Sequence, residues 1–243
     1  MSLKAVIFDF DGVIANSEPL HLRAYQEVLT RIGITLTATD YYARYLGYDD
    51  GGVFEALVSE RGATPSGNAL GELIAEKSRR FQVLLGNSDV IFPGAAECVR
   101  RLAAEVPLAI ASGAWLAEIE AVLERAGLRD CFAAIVSADD EIPSKPAPDP
   151  YLRAVELLEL DPSQNLEPRT TRQAPSTRNR SLSCYVAVED SRWGLDSALA
   201  AGLRCVAVAQ TYRPEELDGA DLVVPNLSAL TLDTLRDLCG RDG

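Results

Sequence analysis

Positive charge is scarce in this chain of 243 residues. Lysine occurs only at Lys4, Lys77 and Lys145, histidine occurs only at His21, and the formal net charge at pH 7 is −13. Proteins that bind nucleic acid need clustered Lys and Arg side chains to neutralise the phosphate backbone. We therefore expect no nucleic acid among the partners of this protein.

Long apolar runs and paired cysteine motifs are also missing. No stretch approaches the roughly 20 apolar residues of a membrane-spanning helix, and the chain starts without a basic-then-apolar leader. We expect no membrane association and a cytoplasmic location. The five cysteines are odd in number and include no CxxC pair, which argues against a disulfide framework and against a zinc cluster. We expect the thiols to be reduced.

Hydrophobic residues make up 47% of the chain, enough to bury one large core or two modest ones. Short β-branched runs recur and suit buried strands, and helical patterns separate most of them. This alternation predicts an α/β fold with a Rossmann-like parallel sheet and helices on both faces. The strands are predicted at Ala5–Phe8, Leu108–Ala111, Ala133–Val136, Tyr185–Val188, Cys205–Val208 and Leu222–Val224, and the helices at Gly94–Glu105, Leu116–Ala126, Pro150–Glu159 and Gly194–Ala201.

Residues 16–91 break this alternation, because they carry helical patterns with little strand character. They predict an inserted α-helical cap domain, and residues 1–15 and 92–243 then form the α/β core. The cap helices are predicted at Leu20–Ile32, Asp40–Leu46, Gly52–Glu60 and Ala69–Leu85. A polar, arginine-rich segment at 163–183 lacks periodicity and is predicted to be a flexible loop insertion in the core.

Four short polar motifs follow predicted strands. Because the carboxyl ends of parallel strands meet at one crevice, we expect these motifs to converge. They are Asp9-Phe10-Asp11-Gly12, Ser112-Gly113, Ser144-Lys145-Pro146 and Glu189-Asp190-Ser191. Taken singly, each has an ordinary structural explanation as a solvated turn, a surface charge or a helix cap. Their shared position at strand ends favours a common site.

The residue types at this site predict phosphoryl transfer. Hard carboxylate oxygens suit Mg²⁺, which commonly binds one or two carboxylates together with a substrate phosphate. Asp9 can then act as a nucleophile that forms an aspartyl-phosphate, and Asp11, two residues further on, as general acid and base. Ser112 and Lys145 offer a hydroxyl and a positive charge for the phosphate oxygens. Gly12 permits a tight backbone turn.

The chain resembles the haloacid dehalogenase superfamily of phosphohydrolases over nearly its whole length. The four motifs of the superfamily correspond to DFDGV (Asp9–Val13), IASG (Ile110–Gly113), SKPAPDPY (Ser144–Tyr151) and VEDS (Val188–Ser191). The helical insertion resembles the small cap of the subgroup that contains β-phosphoglucomutase and phosphoglycolate-type phosphatases. The second aspartate, Asp11, favours phosphoryl chemistry, because the dehalogenases of the superfamily lack it.

This resemblance implies a set of roles. Asp9, Asp11, Ser112 and Lys145 would be the catalytic residues. Mg²⁺ would be held by the Asp9 carboxylate, the Asp11 carbonyl and Asp190, with Glu189 either beside the ion or one layer further out. Substrate contacts are expected from Gly12, Ser17, His21, Gly47 and Gly113, and His21 has the spacing from Asp11 that couples cap closure to catalysis in β-phosphoglucomutase. A packing role for His21 stays open.

The resemblance implies a Mg²⁺-dependent phosphatase for a small phosphorylated metabolite, a sugar phosphate or a phospho-acid. A β-phosphoglucomutase-type mutase is the alternative. The cap loop favours the phosphatase, because Leu46 and Asp50 stand where mutases carry the lysine and arginine that serve a second phosphate, although Arg44 offers a substitute cation. A phosphonate hydrolase would need a cap lysine, and Lys77 is expected on an exposed helix face.

Two further expectations concern activity and assembly. A catalytically idle binding protein of the same fold is the third alternative, although all four motifs are intact. We expect the chain to be a monomer or a weak homodimer.

Overall fold

The computed structural model describes residues 2–45, 48, 50–60, 67–86, 88–160 and 183–240. The strands are β1 (Ser2–Phe8), β2 (Leu108–Ala111), β3 (Ala134–Val136), β4 (Ser183–Glu189), β5 (Arg204–Val208) and β6 (Leu222–Val224). The α-helices are α1 (Glu18–Arg31), α2 (Ala38–Asp40), α3 (Asp50–Ser59), α4 (Gly67–Gly86), α5 (Ala95–Ala103), α6 (Leu116–Ala126), α7 (Asp149–Leu160), α8 (Arg192–Ala200) and α9 (Leu232–Gly240). A π-helical turn covers Tyr41–Tyr45, and 3₁₀ turns cover Arg129–Cys131, Ala138–Asp140, Pro214–Glu216 and Leu227–Ala229.

The six strands of the described part of the chain form one parallel sheet in the order β3-β2-β1-β4-β5-β6. This confirms the predicted α/β fold with a Rossmann-like sheet. The strands β1, β2, β4 and β5 were predictable because their central residues are apolar and buried, whereas Val223 in the middle of the edge strand β6 is exposed. The chain order reverses between β1 and β4, and ligands of such sheets bind at the carboxyl ends of the strands next to this reversal.

The chain divides into two compact units, Met1–Asn16 with Ile91–Gly243, and Ser17–Val90. In the first unit, α7 packs against β1, β2 and β3, α8 packs against β4 and β5, and α9 packs against β1. Helix α9 has no counterpart among the predicted helices. Most of the predicted arginine-rich loop at 163–183 lies outside the described residues, and Ser183 belongs to β4.

The second unit contains α1 to α4 and has an apolar core of its own. The buried residues of α1 recur at three- and four-residue spacing and include Leu22, Tyr25, Val28 and Leu29, which is the pattern of a helix with one apolar face. They pack in one cluster with Phe54 of α3. None of the helices in the described part of the chain combines the length and the apolar composition that a membrane span needs.

One expectation about the cysteines is wrong. Cys184 of β4 and Cys239 of α9 form a disulfide with a Cα–Cα distance of 5.7 Å. The two residues are 55 positions apart in the chain, so no short sequence motif could predict that they pair. The packing of α9 against the sheet brings them together, and Cys98, Cys131 and Cys205 are free thiols.

Candidate active site

Asp9 is the first residue after β1 and lies at the carboxyl edge of the sheet. Its backbone N–H donates to the Val188 carbonyl of β4 over 2.9 Å, which extends the pairing of the two strands. On its other side β1 pairs with β2, and Ser112 directly follows β2. Asp9 therefore lies between the strand ends that carry Ser112 and Glu189.

A largely buried lysine joins Asp9 to the end of β4. Lys145 Nζ donates to Asp9 Oδ1 over 2.8 Å and to Glu189 Oε1 over 2.6 Å. The Lys145 side chain is 15% exposed, and the Glu189 side chain is fully buried. Lys145 precedes Pro146 in a loop between β3 and α7, and the peptide bond between them is cis. The structure thus brings three of the predicted site residues into direct contact.

Protein groups surround both carboxylate oxygens of Glu189. Besides Lys145, Oε1 accepts from the Tyr151 hydroxyl over 2.7 Å. The second oxygen, Oε2, accepts from the Asp190 backbone N–H over 3.1 Å and from the Ser191 hydroxyl over 3.4 Å. A buried carboxylate needs such donors because it has lost its hydration. Glu189 thereby fixes the ammonium group that contacts Asp9.

Burial of so many charges shifts their pKa values. Burial raises the pKa of Asp9 to about 7, against the opposing effect of Lys145, and the negative charge of Glu189 adds to the rise. Burial and the charge of Asp9 likewise raise the pKa of Asp190 well above its usual range. Burial disfavours the charged form of Lys145, but Asp9 and Glu189 together raise its pKa. Burial is thus the main cause of the raised pKa values of these carboxyl groups, and repulsion between the carboxylates adds to it.

The chemistry of this cluster fits a divalent cation. Asp9, Glu189 and Asp190 are buried, and each offers a carboxylate oxygen within 4.8 Å of the others. Three carboxylates and the ammonium of Lys145 sum to a net charge of −2 when all are ionised. Buried charge of one sign needs a counter-ion, and Mg²⁺ prefers hard carboxylate oxygens. The acidic cluster could therefore hold Mg²⁺.

Two glycines allow the backbone to approach the acidic residues closely. Gly12 has a φ of +79°, and a Cβ atom there would lie 1.9 Å from Asp190 Oδ2. A Cβ atom on Gly194 of α8 would lie 1.9 Å from Glu189 Cδ. The Gln210 side chain donates to the Gly12 carbonyl over 3.1 Å and holds the turn in place. Gly12 is thus required by both conformation and space.

Ser112 and Gly113 follow β2 on the same edge of the sheet. Ser112 is buried, its N–H donates to the Val136 carbonyl over 3.0 Å, and its Oγ accepts from the Ala114 N–H over 3.1 Å. Gly113 is exposed, and a Cβ atom there would meet nothing within 4 Å. Asp11 is half-buried, and its negative charge contributes to the raised pKa of Asp9.

The exposure expected for Lys77 is wrong. Lys77 of α4 is only 2% exposed, and its Nζ donates to Asp50 Oδ1 over 2.6 Å. It also lies 2.8 Å from His21 Nδ1 and 4.8 Å from the centre of the Tyr25 ring. A lysine is buried this deeply only when its charge is paired, and Asp50 supplies the partner. The amine that a phosphonate hydrolase would need is thus engaged in an ion pair.

His21, which is half-buried, belongs to the same group of side chains as Lys77. Its ring stacks on Phe81 with centroids 3.9 Å apart, and because an ammonium group only donates, Nδ1 accepts from Lys77. Burial and the charge of Lys77 lower the pKa of His21 well below its usual range. The neutral imidazole therefore carries its proton on Nε2.

The other predicted residues of 17–90 differ in how far the structure describes them. Ser17 is buried at the start of α1 and its carbonyl accepts from the His21 N–H over 3.1 Å. Gly47 lies outside the described residues, as does Leu46. The Arg44 guanidinium bonds to Glu60 and lies over the Tyr45 ring, so its charge is already paired.

Several residues of the site were not assigned from the sequence. Tyr151 stands in the quoted SKPAPDPY motif without an assigned role, and one turn of helix after Pro148 brings its hydroxyl to Glu189. Gly194 follows the VEDS motif by three residues, which was the available signal for its contact with Glu189. Two more residues of the site follow β5 and belong to no recognised motif, namely Gln210 and Thr211. Thr211 hydrogen-bonds to Asp190.

The sequence matches one protein family over most of its length. The model of the haloacid dehalogenase-like hydrolases matches residues 3–202. The chain belongs to this family. This confirms the resemblance that the four motifs carry.

Curated relatives of the chain include phosphatases and a phosphomutase. The chain is 33% identical to the protein CbbY of Rhodobacter capsulatus over 98% of this chain and 100% of that one. It is 30% identical to the β-phosphoglucomutase of Bacillus subtilis over 97% of this chain and 95% of that one. It is 30% identical to the fructose-1-phosphate phosphatase YqaB of Escherichia coli over 84% of this chain and 95% of that one.

A solved structure of CbbY from Rhodobacter sphaeroides in complex with phosphate has a similar fold. The TM-score is 0.76 at 27% identity, over 96% of this chain and 99% of that one. The family and the relatives together support a phosphoric monoester hydrolase, with a phosphomutase as the alternative.

Proposed function

We propose that this haloacid dehalogenase-like hydrolase is a Mg²⁺-dependent phosphatase that acts on a small phosphorylated metabolite through an aspartyl-phosphate on Asp9. The observation that carries this proposal is the contact between Asp9 and Lys145 at the end of β1, beside the acidic residues that end β4. A nucleophilic carboxylate next to a fixed positive charge is the arrangement that phosphoryl transfer needs.

The reaction proceeds in two steps. An Asp9 oxygen forms a bond to phosphorus while the bond between phosphorus and the substrate oxygen breaks, and Asp11 gives its proton to the leaving alkoxide. Asp11 then takes a proton from water, the resulting hydroxide attacks phosphorus, and the Asp9–phosphate bond breaks to release phosphate. Ser112 and Lys145 bind the phosphoryl oxygens and stabilise the charge that develops on them.

Mg²⁺ would be held by the Asp9 carboxylate, the Asp11 carbonyl and Asp190. When bound, it supplies the positive charge that offsets repulsion between the carboxylates and the phosphate. Glu189 has an outer position in this proposal, because its oxygens already accept from Lys145, Tyr151 and Ser191. Its role is to hold Lys145 and the end of β4 in place.

The expected substrate is a sugar phosphate or a short phospho-acid. One relative is named as a fructose-1-phosphate phosphatase and another as a β-phosphoglucomutase. A mutant of CbbY from Rhodobacter sphaeroides was solved in complex with xylulose-(1,5)bisphosphate. We assign residues 16–91 as the cap, and we propose Gly12, Ser17, His21, Gly47 and Gly113 as the substrate contacts. We further propose a cytoplasmic enzyme that is a monomer or a weak homodimer.

The phosphatase is preferred to the mutase because of two pairings in the second unit. Asp50, at the position where mutases carry an arginine, is bound to Lys77, and Arg44 is bound to Glu60. Both cations of these pairs, Lys77 and Arg44, are therefore already bound to a carboxylate, and Asp50 adds negative charge where a second phosphate would need a charge-assisted contact.

The experiment is phosphate release over a panel of sugar phosphates, polyol phosphates and phospho-acids, with Mg²⁺ and with chelator. We expect Asp9→Asn to abolish release and Asp130→Asn, an exposed aspartate of the same unit, to retain it. Turnover by Asp9→Asn equal to that of the unmodified enzyme would refute the aspartyl-phosphate mechanism.

Two alternatives have outcomes of their own. Incubation with β-glucose 1-phosphate and a trace of the 1,6-bisphosphate favours the mutase if glucose 6-phosphate appears faster than free phosphate. A chain that neither releases phosphate from any compound nor traps fluoroberyllate with Mg²⁺ would be an idle binding protein.

A further inference from the structure

Trp115 lies beyond the carboxyl end of β2 and close along the chain to Ser112. It follows Ser112 by three residues, directly before α6, and is 51% exposed. Strand β2, which leads into this segment, is the hydrogen-bonded neighbour of β1 and thus of Asp9. Adjacent strands are separated by about 4.8 Å, so the loop with Trp115 begins beside the nucleophile.

The backbone on both sides of Trp115 is held by hydrogen bonds. The Ala114 carbonyl accepts from the Ala138 N–H over 2.9 Å, and the Leu116 N–H donates to Asp139 Oδ2 over 2.8 Å. The Trp115 carbonyl accepts from the Glu118 N–H over 2.9 Å at the start of α6. The ring is therefore presented from a fixed base although half of its surface faces solvent.

A single exposed apolar residue is ordinary on protein surfaces, so exposure alone is no argument. Trp115 is distinguished by its position three residues after Ser112, because the side chains described above for the site are carboxylates, an ammonium and hydroxyls. These groups serve the phosphate, whereas the carbon skeleton of a metabolite needs an apolar or amphipathic contact. Tryptophan offers a large rigid face and an N–H donor for this purpose.

We propose that Trp115 contacts the carbon skeleton of the substrate and so favours phosphorylated sugars and polyols over phosphates with one or two carbons. This inference rests on the proposed function and adds a specificity residue to it. The ring covers the C–H face of the skeleton, while Ser112 on the same loop binds the phosphate.

The only other tryptophan of the chain gives a matched control. Trp193 of α8 is 47% exposed and also follows a strand of the site, β4. Its neighbours Gly194 and Leu195 form the buried face of α8, so Trp193 lies on the other side of that helix. A general effect of losing an exposed indole should appear in both variants, and a substrate contact only in Trp115→Ala.

The kinetic test compares fructose 1-phosphate with acetyl phosphate, whose carbon part is small. We expect Trp115→Ala to raise KM for fructose 1-phosphate about tenfold and to change kcat/KM for acetyl phosphate less than twofold. Trp115→Phe should recover most of the loss, and Trp193→Ala should match the unmodified enzyme for both compounds. Equal losses for the two substrates, or no loss for fructose 1-phosphate, would overturn the proposal.

A binding measurement separates this proposal from the proposed function. In the double variant Asp9→Asn, Trp193→Phe, the indole of Trp115 is the sole tryptophan and hydrolysis is blocked. With Mg²⁺, fructose 1-phosphate should quench its fluorescence, and inorganic phosphate should quench it much less. Such quenching supports the contact even if no phosphatase activity is found. Identical responses to the two compounds, or none to either, would refute it.

Discussion

The Tyr151 hydroxyl donates to Glu189 Oε1 over 2.7 Å, and both side chains are fully buried. Because the same oxygen accepts from Lys145, Tyr151 helps to orient the carboxylate that orients the ammonium beside Asp9. Helix α7 thereby supports the site from within the core. The position of Lys145 depends on this chain of contacts as well as on its own loop.

The Tyr151→Phe variant tests whether Tyr151 acts by orienting Glu189 and Lys145. The variant keeps the ring and loses one buried hydrogen bond, so the free energy of unfolding should fall by about 1 kcal/mol and kcat by about three- to tenfold. Urea denaturation and phosphate release measure the two effects. Tyr185→Phe, which removes a bond to Glu159 on the same unit, should leave kcat unchanged. A normal kcat in Tyr151→Phe would contradict the orienting role.

Lys145→Met should remove the positive charge while keeping much of the side-chain volume. We expect a loss of at least about 100-fold in kcat, because a preorganised charge at the phosphoryl group is missing. Phosphate release with saturating Mg²⁺ measures it. Lys4→Met, at an exposed position of β1, is the control and should be fully active. Activity of Lys145→Met within a few fold of normal would exclude the assigned role.

Gly12→Ala should damage the site through a steric clash. The new Cβ atom would overlap Asp190 Oδ2, whereas Gly33 has a similar φ of +73° and a Cβ there would meet nothing within 4 Å. We expect Gly33→Ala to lower the free energy of unfolding by about 1 kcal/mol from backbone strain alone. Gly12→Ala should lose about 1–3 kcal/mol more, together with Mg²⁺ affinity measured by calorimetry. Equal losses would show that the close approach is unimportant.

The ion pair of Lys77 and Asp50 should be strongly coupled. Their side chains are 3% and 25% exposed, and removing one partner of a buried pair costs about 3–5 kcal/mol. A double-mutant cycle with Lys77→Met and Asp50→Asn, followed by denaturant unfolding, measures the coupling. The exposed pair Arg153–Glu156 should give below about 1 kcal/mol. Additive losses at Lys77 and Asp50 would contradict the pairing.

The disulfide predicts a thiol count. The unfolded protein should show three reactive thiols before reduction and five after it. On the chain-entropy model, a bridge over 55 positions contributes about 4 kcal/mol, so Cys239→Ser should lower the unfolding midpoint clearly. Cys131→Ser is the control for a free thiol. Five reactive thiols without reductant would contradict the disulfide and would agree with the reduced thiols expected from the sequence. Reduced thiols are also the usual state in the cytoplasm, the proposed location.

Much of the fold was predictable because it depends on local pattern. Each strand contains a short apolar run, and in β1, β2, β4 and β5 this run is buried, so it stands out from the polar residues at the strand ends. The motifs of the site follow these strands directly, so a parallel sheet was enough to predict that Asp9, Ser112 and Glu189 share one edge. Lys145 is further from its strand, and its inclusion depended on the order of the motifs.

The remaining features depend on long-range packing, which no local pattern encodes. The sequence by itself determined which polar motif follows which strand. It also determined that the motifs after β1 and β4 carry several carboxylates, whose negative charge a cation would neutralise. Only the tertiary structure decided that Lys77 is buried, because its partner Asp50 lies on another helix. It alone also decided that Cys184 meets Cys239 and that Tyr151 reaches Glu189, because each pair is joined by the docking of a helix on the sheet.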